Sequence, residues 1–149
     1  MRTPKHIPWR CPQCNFKNKN FFTQSSFYKL PPILIVQVKR FLAKQFLRRG
    51  KLEESTEKLN NIVEFERYMT VTVHDNNRIH HELICFIAFS GRTTDQGHYQ
   101  ASALSPSKRW FKRDDNTLPT PLPVEFIMNE QQSTAYTFFY RELKRYCMN

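Results

Sequence analysis

The sequence predicts a mostly β, α+β fold: one strongly bent antiparallel sheet with little helix. Three observations carry this. Residues 33–38 (ILIVQV), 83–89 (LICFIAF) and 134–140 (TAYTFFY) are short, β-branched or aromatic, and apolar almost throughout. Such runs read as strands buried on both faces. Residues 62–73 alternate instead, with Val63, Phe65, Met69, Val71 and Val73 at apolar positions, as half-buried strands do. Turn-forming clusters separate these runs at short intervals. The count is six or seven strands.

Length and composition bound the rest. A chain of 149 residues is the size of one domain, and thirteen Phe and six Tyr supply a core. Lys and Arg total 23 against 13 Asp and Glu, giving a net charge of +10, a bias toward acidic partners. No apolar run approaches the roughly 18 residues that a membrane span needs, so no membrane partner is expected. The N-terminus lacks the apolar stretch of a signal peptide. Four cysteines without such a signal imply reduced thiols and an intracellular protein, cytoplasmic or nuclear. No Gly-rich phosphate loop, HExxH or GxSxG occurs, which excludes kinases, zincins and serine hydrolases.

In chain order, residues 1–20 are basic, with three prolines and the pair Cys11-Pro-Gln-Cys14. A CxxC knuckle is half of a zinc site, and a closed structural site needs four ligands. His6 would make a third; Cys85 and Cys147 stand alone. Within these residues two reduced thiols in a mobile arm are favoured, and zinc is expected only if other ligands are supplied. Leu30-Pro31-Pro32 stops any helix and opens the 33–38 strand. Residues 42–61 are the most charged part, with six basic residues from Lys39 to Lys51 and three glutamates after them. They read as a surface excursion, partly helical. Basic residues near Phe41 and Phe46 would suit nucleic acid, but a solvated charged loop is the commoner outcome. His74-Asp75-Asn76-Asn77 is a turn. His80 and His81 fall on opposite faces of a strand and read as surface residues. Cys85 is a small inert core residue. Residues 124–132 hold a helical turn.

Residues 97–115 carry the chemistry. Ser105-Pro106-Ser107 is turn chemistry, and it folds residues 98–104 back onto 109–114. Centred on Pro106, paired numbers sum to 212 and His98 faces Asp114. Centred between Pro106 and Ser107, they sum to 213 and His98 faces Asp115. Either register brings a carboxylate within about 5 Å of the imidazole, Cβ to Cβ. A His held by an Asp is fixed in one tautomer and serves as a general base. Gly97, without a Cβ, lets a substrate backbone come close. Many hairpins carry a His and an Asp without chemistry, so the wider pattern decides.

That wider pattern resembles the second half of the ubiquitin-specific protease catalytic domain, a papain-like cysteine protease fold that removes ubiquitin. Seven landmarks stand in the family's order. They are Cys11 with Cys14; Leu30-Pro31-Pro32 through Lys39-Arg40-Phe41; and Lys58-Leu59 through Val63 and Phe65. Leu83 through Ser90-Gly91 follows, then Gly97-His98-Tyr99 with Ala101, Trp110 with Asp114-Asp115, and Ala135-Tyr136 through Phe139-Tyr140. The resemblance implies the palm sheet of that fold over residues 30–142. A half zinc knuckle in 1–20 precedes it and a basic tail at 143–149 follows it. The helical thumb is absent. It implies His98 as general base, Asp114 as its orienting partner and Asp115 in support. Phe41, Gly97 and Tyr99 would line the channel for the ubiquitin tail, and Cys11 and Cys14 would be half of a zinc site. Ubiquitin or a ubiquitinated protein is the implied partner, with a further chain supplying the N-terminal half.

Two positions depart from the family's pattern: Phe89 stands where a His is usual, and His81 where a Tyr is usual. None of the four cysteines suits the nucleophile, which sits at a helix N-terminus beside the base. The expectation is therefore a deubiquitinase segment with His and Asp but no acylating thiol, inactive alone, with no cofactor required for the chemistry. Two other functions fit less well. One is a non-catalytic module binding ubiquitin or another partner; the other, further down, is a basic β domain for nucleic acid.

Overall fold

A computed structural model describes residues 5–93, 96–115 and 117–144, with backbone alone at 5, 6, 9 and 18–22. The side chain of His6, residue Cys147 and most of the basic tail lie outside the described residues. The chain divides into two compact units. One is the chain up to Leu30 with Thr70–Ile79; the other is Pro31–Met69 with the chain from His80 onward. No helix among the described residues is long and apolar enough to cross a membrane.

In the first unit, strands β1 (Lys5–Arg10) and β2 (Lys17–Thr23) form an antiparallel hairpin. The segment expected to be a mobile arm is thus a strand pair. Its turn closes because Cys11 N–H donates to Phe16 O at 2.9 Å and Asn15 N–H to Cys11 O at 3.0 Å. Asn15 takes φ 59°, a left-handed conformation that Asn tolerates better than most residues. The turn expected at 74–77 also forms. Val73 N–H donates to Asn77 O at 3.0 Å, and Asn76 takes φ 58°.

The second unit is built on a sheet of order β10-β9-β8-β7-β11-β3. These strands are β3 (Ile33–Gln37), β7 (Arg78–Gly91, whose first two residues fall in the first unit), β8 (Gly97–Leu104), β9 (Trp110–Arg113), β10 (Thr120–Pro121) and β11 (Ala135–Glu142); β6 (Tyr68–Thr72) falls at the boundary of the two units. The three apolar runs of the sequence lie in β3, β7 and β11, and β11 sits between the other two. β3 differs from the expected strand buried on both faces: it is the edge strand of the sheet, and Ile33, Ile35 and Val36 are exposed. One helix, α1 (Val124–Gln131), buries Val124, Ile127 and Gln131 at helical spacing. Val124 and Ile127 join Leu83, Phe86, Trp110, Ala135, Phe138 and Tyr140 in the core. Phe65 packs against Phe86 and Phe138, with ring centroids 5.2 and 4.7 Å apart.

Residues 42–61 differ from expectation. They contain no helix; β4 (Phe41–Arg48) and β5 (Lys51–Lys58) form a hairpin in full register. Arg49 and Gly50 take φ 50° and 75°, the pair of positive values that a tight type I′ hairpin turn requires. Lys44 pairs with Glu57, and Gln45 donates to Glu54 at 2.6 Å across the strands. Both faces of most of the hairpin are exposed, so no apolar alternation marked it as β. His81 is also corrected. It is fully buried, together with Glu82 and Leu83 on either side of the strand, because β7 is covered on both faces there.

Candidate functional site

The candidate site lies where β8 begins and β9 ends. The β8–β9 register pairs Ala101 with Arg113 and Leu104 with Trp110. Paired numbers therefore sum to 214, not 212 or 213. The turn closes one residue later than expected: Ser105 N–H donates to Arg109 O at 2.8 Å, and Lys108 takes φ 62°. A shift from 212 to 214 keeps every side chain on its face, whereas a sum of 213 would reverse them. Carried on, this register sets Gln100 across from Asp114 and places His98 diagonally from it. Gln100 Nε2 donates to Asp114 Oδ2 at 2.6 Å, and His98 Nε2 meets Asp114 Oδ1. The other imidazole nitrogen, Nδ1, is 3.5 Å from Asp115 Oδ2.

Local turns aim both carboxylates. Asp114 O accepts from Thr117 N–H at 2.9 Å and from Thr117 Oγ1 at 2.7 Å. Asp115 takes φ 38°, a conformation Asp reaches more readily than most residues. The hydrogen bond to Asp114 raises the His98 pKa; partial burial opposes this, and the charges of Asp114 and Asp115 add to the rise. The same bond, with that from Gln100, lowers the pKa of Asp114. The result is an imidazole with one nitrogen held by a carboxylate that itself has a second donor. That arrangement fixes orientation and stabilises the imidazolium.

Phe41, Gly97 and Tyr99 come together through Phe89, which pairs with Tyr99 in the β7–β8 ladder while Ser90 pairs with His98, so this group lies on the sheet face opposite the His98 side chain. Phe89 is 1% exposed and packs edge-on to Phe41 at 5.3 Å and against Tyr99 at 4.7 Å. Tyr136 extends the aromatic group, 5.8 Å from Phe41, and its hydroxyl accepts from Gln37 Nε2 at 2.5 Å. Gly91 and Gly97 face each other across β7 and β8. A Cβ on Gly97 would overlap the Phe89 ring, and one on Gly91 would come within 2.9 Å of it. Internal packing thus already demands glycine at 97. Gln100 was legible by alternation, two residues from His98 on one face. Phe89 was legible as the strand neighbour of Tyr99 only once the register is known.

Two buried cations brace this end of the sheet. Arg40 is 1% exposed. It donates from Nε to Ala135 O at 2.5 Å, from Nη1 to Leu59 O at 3.1 Å and Asn61 O at 2.8 Å, and from Nη2 to Gln132 O at 2.7 Å. Lys58 Nζ donates to Phe89 O at 2.6 Å. Burial lowers the pKa of both, and the Arg40 charge lowers that of Lys58 further.

Cys11 and Cys14 share the turn between β1 and β2. N–H groups of Cys14 and Gln13 point at the Cys11 sulfur and, with the Cys14 thiol, lower its pKa. That suits a thiolate ligand. Among the described residues, no third His, Cys, Asp or Glu gathers with this pair, so they fit half of a zinc site. Cys85 has its pKa raised by burial.

A mostly β fold with one short helix and an antiparallel sheet is the fold class that the comparisons also find. The family model for ubiquitin carboxyl-terminal hydrolase matches residues 8–140, and the chain belongs to that family. Ubiquitin carboxyl-terminal hydrolase 8 of Saccharomyces cerevisiae is 30% identical, over 91% of this chain and 29% of its own length. Ubiquitin carboxyl-terminal hydrolase 19 of Homo sapiens is 28% identical, over 89% of this chain and 10% of its own. The SAGA Ubp8/Sgf11/Sus1/Sgf73 DUB module bound to ubiquitin aldehyde superposes with a TM-score of 0.69. It is 25% identical and is covered to 30% of its chain, against 94% of this one. The chain thus spans less than a third of the length of these relatives.

Proposed function

We propose that these residues are the base-bearing half of a thiol-dependent deubiquitinase domain. His98 is its general base, and Asp114, held by Gln100, is the group that orients it. The observation that carries this reading is the His98–Asp114–Gln100 chain, at the strand end whose other face holds the Phe41–Phe89–Tyr99 cluster. The base accepts a proton from an attacking thiol and later delivers it to the leaving amine. Nδ1 has the longer contact, at 3.5 Å, outside the usual hydrogen-bond range of about 2.7–3.2 Å. One imidazole nitrogen is therefore held firmly and one weakly, as a base that must face a second group requires. Phe41, Gly97 and Tyr99 flank the path of a ubiquitin C-terminal tail. Ubiquitin is the partner, and the thiol comes from a segment other than these 149 residues. Cys11 and Cys14 supply two thiolates to a structural zinc whose other ligands lie outside the described residues; the metal takes no part in the chemistry.

The test is complementation. The chain alone is expected not to cleave a ubiquitin–fluorophore amide, because acyl transfer needs a thiolate within reach of the base. Mixed with the thiol-bearing N-terminal segment of a family relative, it is expected to restore turnover. That turnover should vanish with His98→Ala and fall with Asp114→Ala. Turnover by the chain alone that is lost with Cys85→Ala would overturn the proposal.

A further inference from the structure

We propose that the cleft of about 400 Å³ between the β8–β9 turn and the first turn of α1 binds a phosphate group. Arg67, Lys108, Arg109 and Glu125 are the charged residues that line it, with Trp110 and Val124 among the apolar walls. Buried Glu82 pairs with Arg67 and Lys108 and also with Arg141, so the whole group, four cations against Glu82 and Glu125, keeps a charge of +2, which matches the roughly −2 of a phosphate near neutral pH.

Two donors at this cleft have no acceptor. Trp110 is 4% exposed, and its indole N–H is buried without a hydrogen-bond partner; the Nε–H of Arg67 is in the same state. Buried donors in native structures are nearly always satisfied, and leaving one orphaned is costly. An oxyanion in the cleft gives both an acceptor. The rest of the Arg67 guanidinium is already fixed, with Nη2 on Glu82 Oε1 at 3.1 Å and the group lying over the Tyr68 ring at 5.2 Å. Glu82 does not cancel the site: it is 4% exposed and also accepts from Arg141 at 3.1 Å, while Lys108 approaches it only to 3.7 Å. Arg109 lies over the Phe111 ring at 5.9 Å. The start of α1 adds to the pull. Pro123 occupies its N-cap without a side-chain cap bond, so its first N–H groups carry the positive end of the helix dipole uncapped. Glu125 opposes an anion and is counted in the balance.

The experiment follows the indole N–H signals of Trp9 and Trp110 in the 15N-labelled chain, assigned with Trp9→Phe, as inorganic phosphate is added at constant ionic strength. The Trp110 signal is expected to move saturably while that of Trp9 does not. Acetate should bind at least tenfold more weakly. Lys108→Ala with Arg109→Ala, both on an exposed turn, should weaken phosphate at least tenfold and leave the amide spectrum otherwise intact. A phosphoserine titration that binds tighter than inorganic phosphate would assign the group to a modified side chain; weaker binding would assign it to free phosphate. The proposal is overturned if the Trp110 signal does not saturate, if acetate binds as well, or if the double variant retains full affinity.

Discussion

Replacing Arg40 by Met keeps a long apolar stem and removes every donor. Four carbonyl oxygens, of Ala135, Leu59, Asn61 and Gln132, then lose a charged partner. A fully buried acceptor left unpaired costs about 1–3 kcal/mol, and the Ala135 bond is buried. The other three are part-buried and reachable by water on loss of the arginine, so about 1 kcal/mol each applies. The gross loss is about 4–6 kcal/mol. Against it stands the release of a guanidinium from a buried place, which recovers about 2 kcal/mol. The expected net loss is about 2–4 kcal/mol, a large share of the roughly 5–15 kcal/mol that holds a domain together. Urea unfolding followed by circular dichroism reads this as a midpoint lowered by about 1 M or more at unchanged slope. Lys58→Met is the internal control. It loses one bond, to Phe89 O, and relieves repulsion from Arg40, so its cost should stay below about 1.5 kcal/mol. Equal losses in the two variants, or a loss below about 0.5 kcal/mol for Arg40→Met, would refute the view that satisfied carbonyls are what the arginine contributes.

Three further outcomes are expected. Gly97→Ala drives a methyl into the Phe89 ring and should cost about 1–3 kcal/mol; in a double-mutant cycle with Phe89→Leu, the combined loss should be smaller than the sum, and strict additivity would show that the ring is not the obstacle. The folded His98 pKa lies above its ordinary 6.5 and that of Asp114 below its ordinary 3.8. The contact therefore contributes fully between those values. It is lost as pH rises through the folded His98 pKa or falls through that of Asp114. In an NMR titration Asp114→Asn should bring the His98 value down toward 6.5, and an unchanged value would contradict the assignment. Cys11 should alkylate well before Cys85, since its pKa is lowered by N–H donors and that of Cys85 is raised by burial; mass spectrometry of timed iodoacetamide reactions that gives the reverse order would refute this.

Much of the sheet was legible because apolar runs mark strands. The runs at 33–38, 83–89 and 134–140 sit together as β3, β7 and β11. Burial on both faces holds best for β7; β3 is an edge strand whose Ile33, Ile35 and Val36 are exposed, so its apolar run marked a strand but not its burial. The β4–β5 hairpin was not legible for the opposite reason. Nearly all of its residues are exposed, so neither period shows, and charge alone looked like loop or helix; the one local signal is Gly50, which suits a two-residue hairpin turn. Both registers considered for the β8–β9 hairpin, with sums of 212 and 213, fell short of 214 because the turn was centred on Pro106 or just after it. Lys108 in fact supplies the left-handed residue that closes it. The pairing of His98 with Asp114 survived that error because a shift of two residues preserves the face. His81 reads, with His80, as a surface residue because both follow a polar turn, yet it shares a strand face with Leu83 and is buried with it.

The bracing of the candidate site follows from the same geometry. Ser90 lies opposite His98 in the β7–β8 ladder, and the carbonyl immediately before it, that of Phe89, is the acceptor of Lys58. Lys58 itself is tied through its N–H to Arg92 O at 3.1 Å, so β5 meets the end of β7 at two points. Arg40 joins the base of the β4–β5 hairpin to Ala135 at the start of β11 and to the residue that ends α1. Among the described residues neither cation pairs with a carboxylate, and both spend their donors on main-chain oxygens. Carbonyl acceptors tie backbone to backbone, so they hold strand ends in place where a side-chain ion pair would hold only side chains. In the proposed function His98 is a base, and such a group must be placed to within a fraction of an ångström to work. The cost of burying two cations becomes intelligible if what they fix is the main chain from which Phe89 and His98 project.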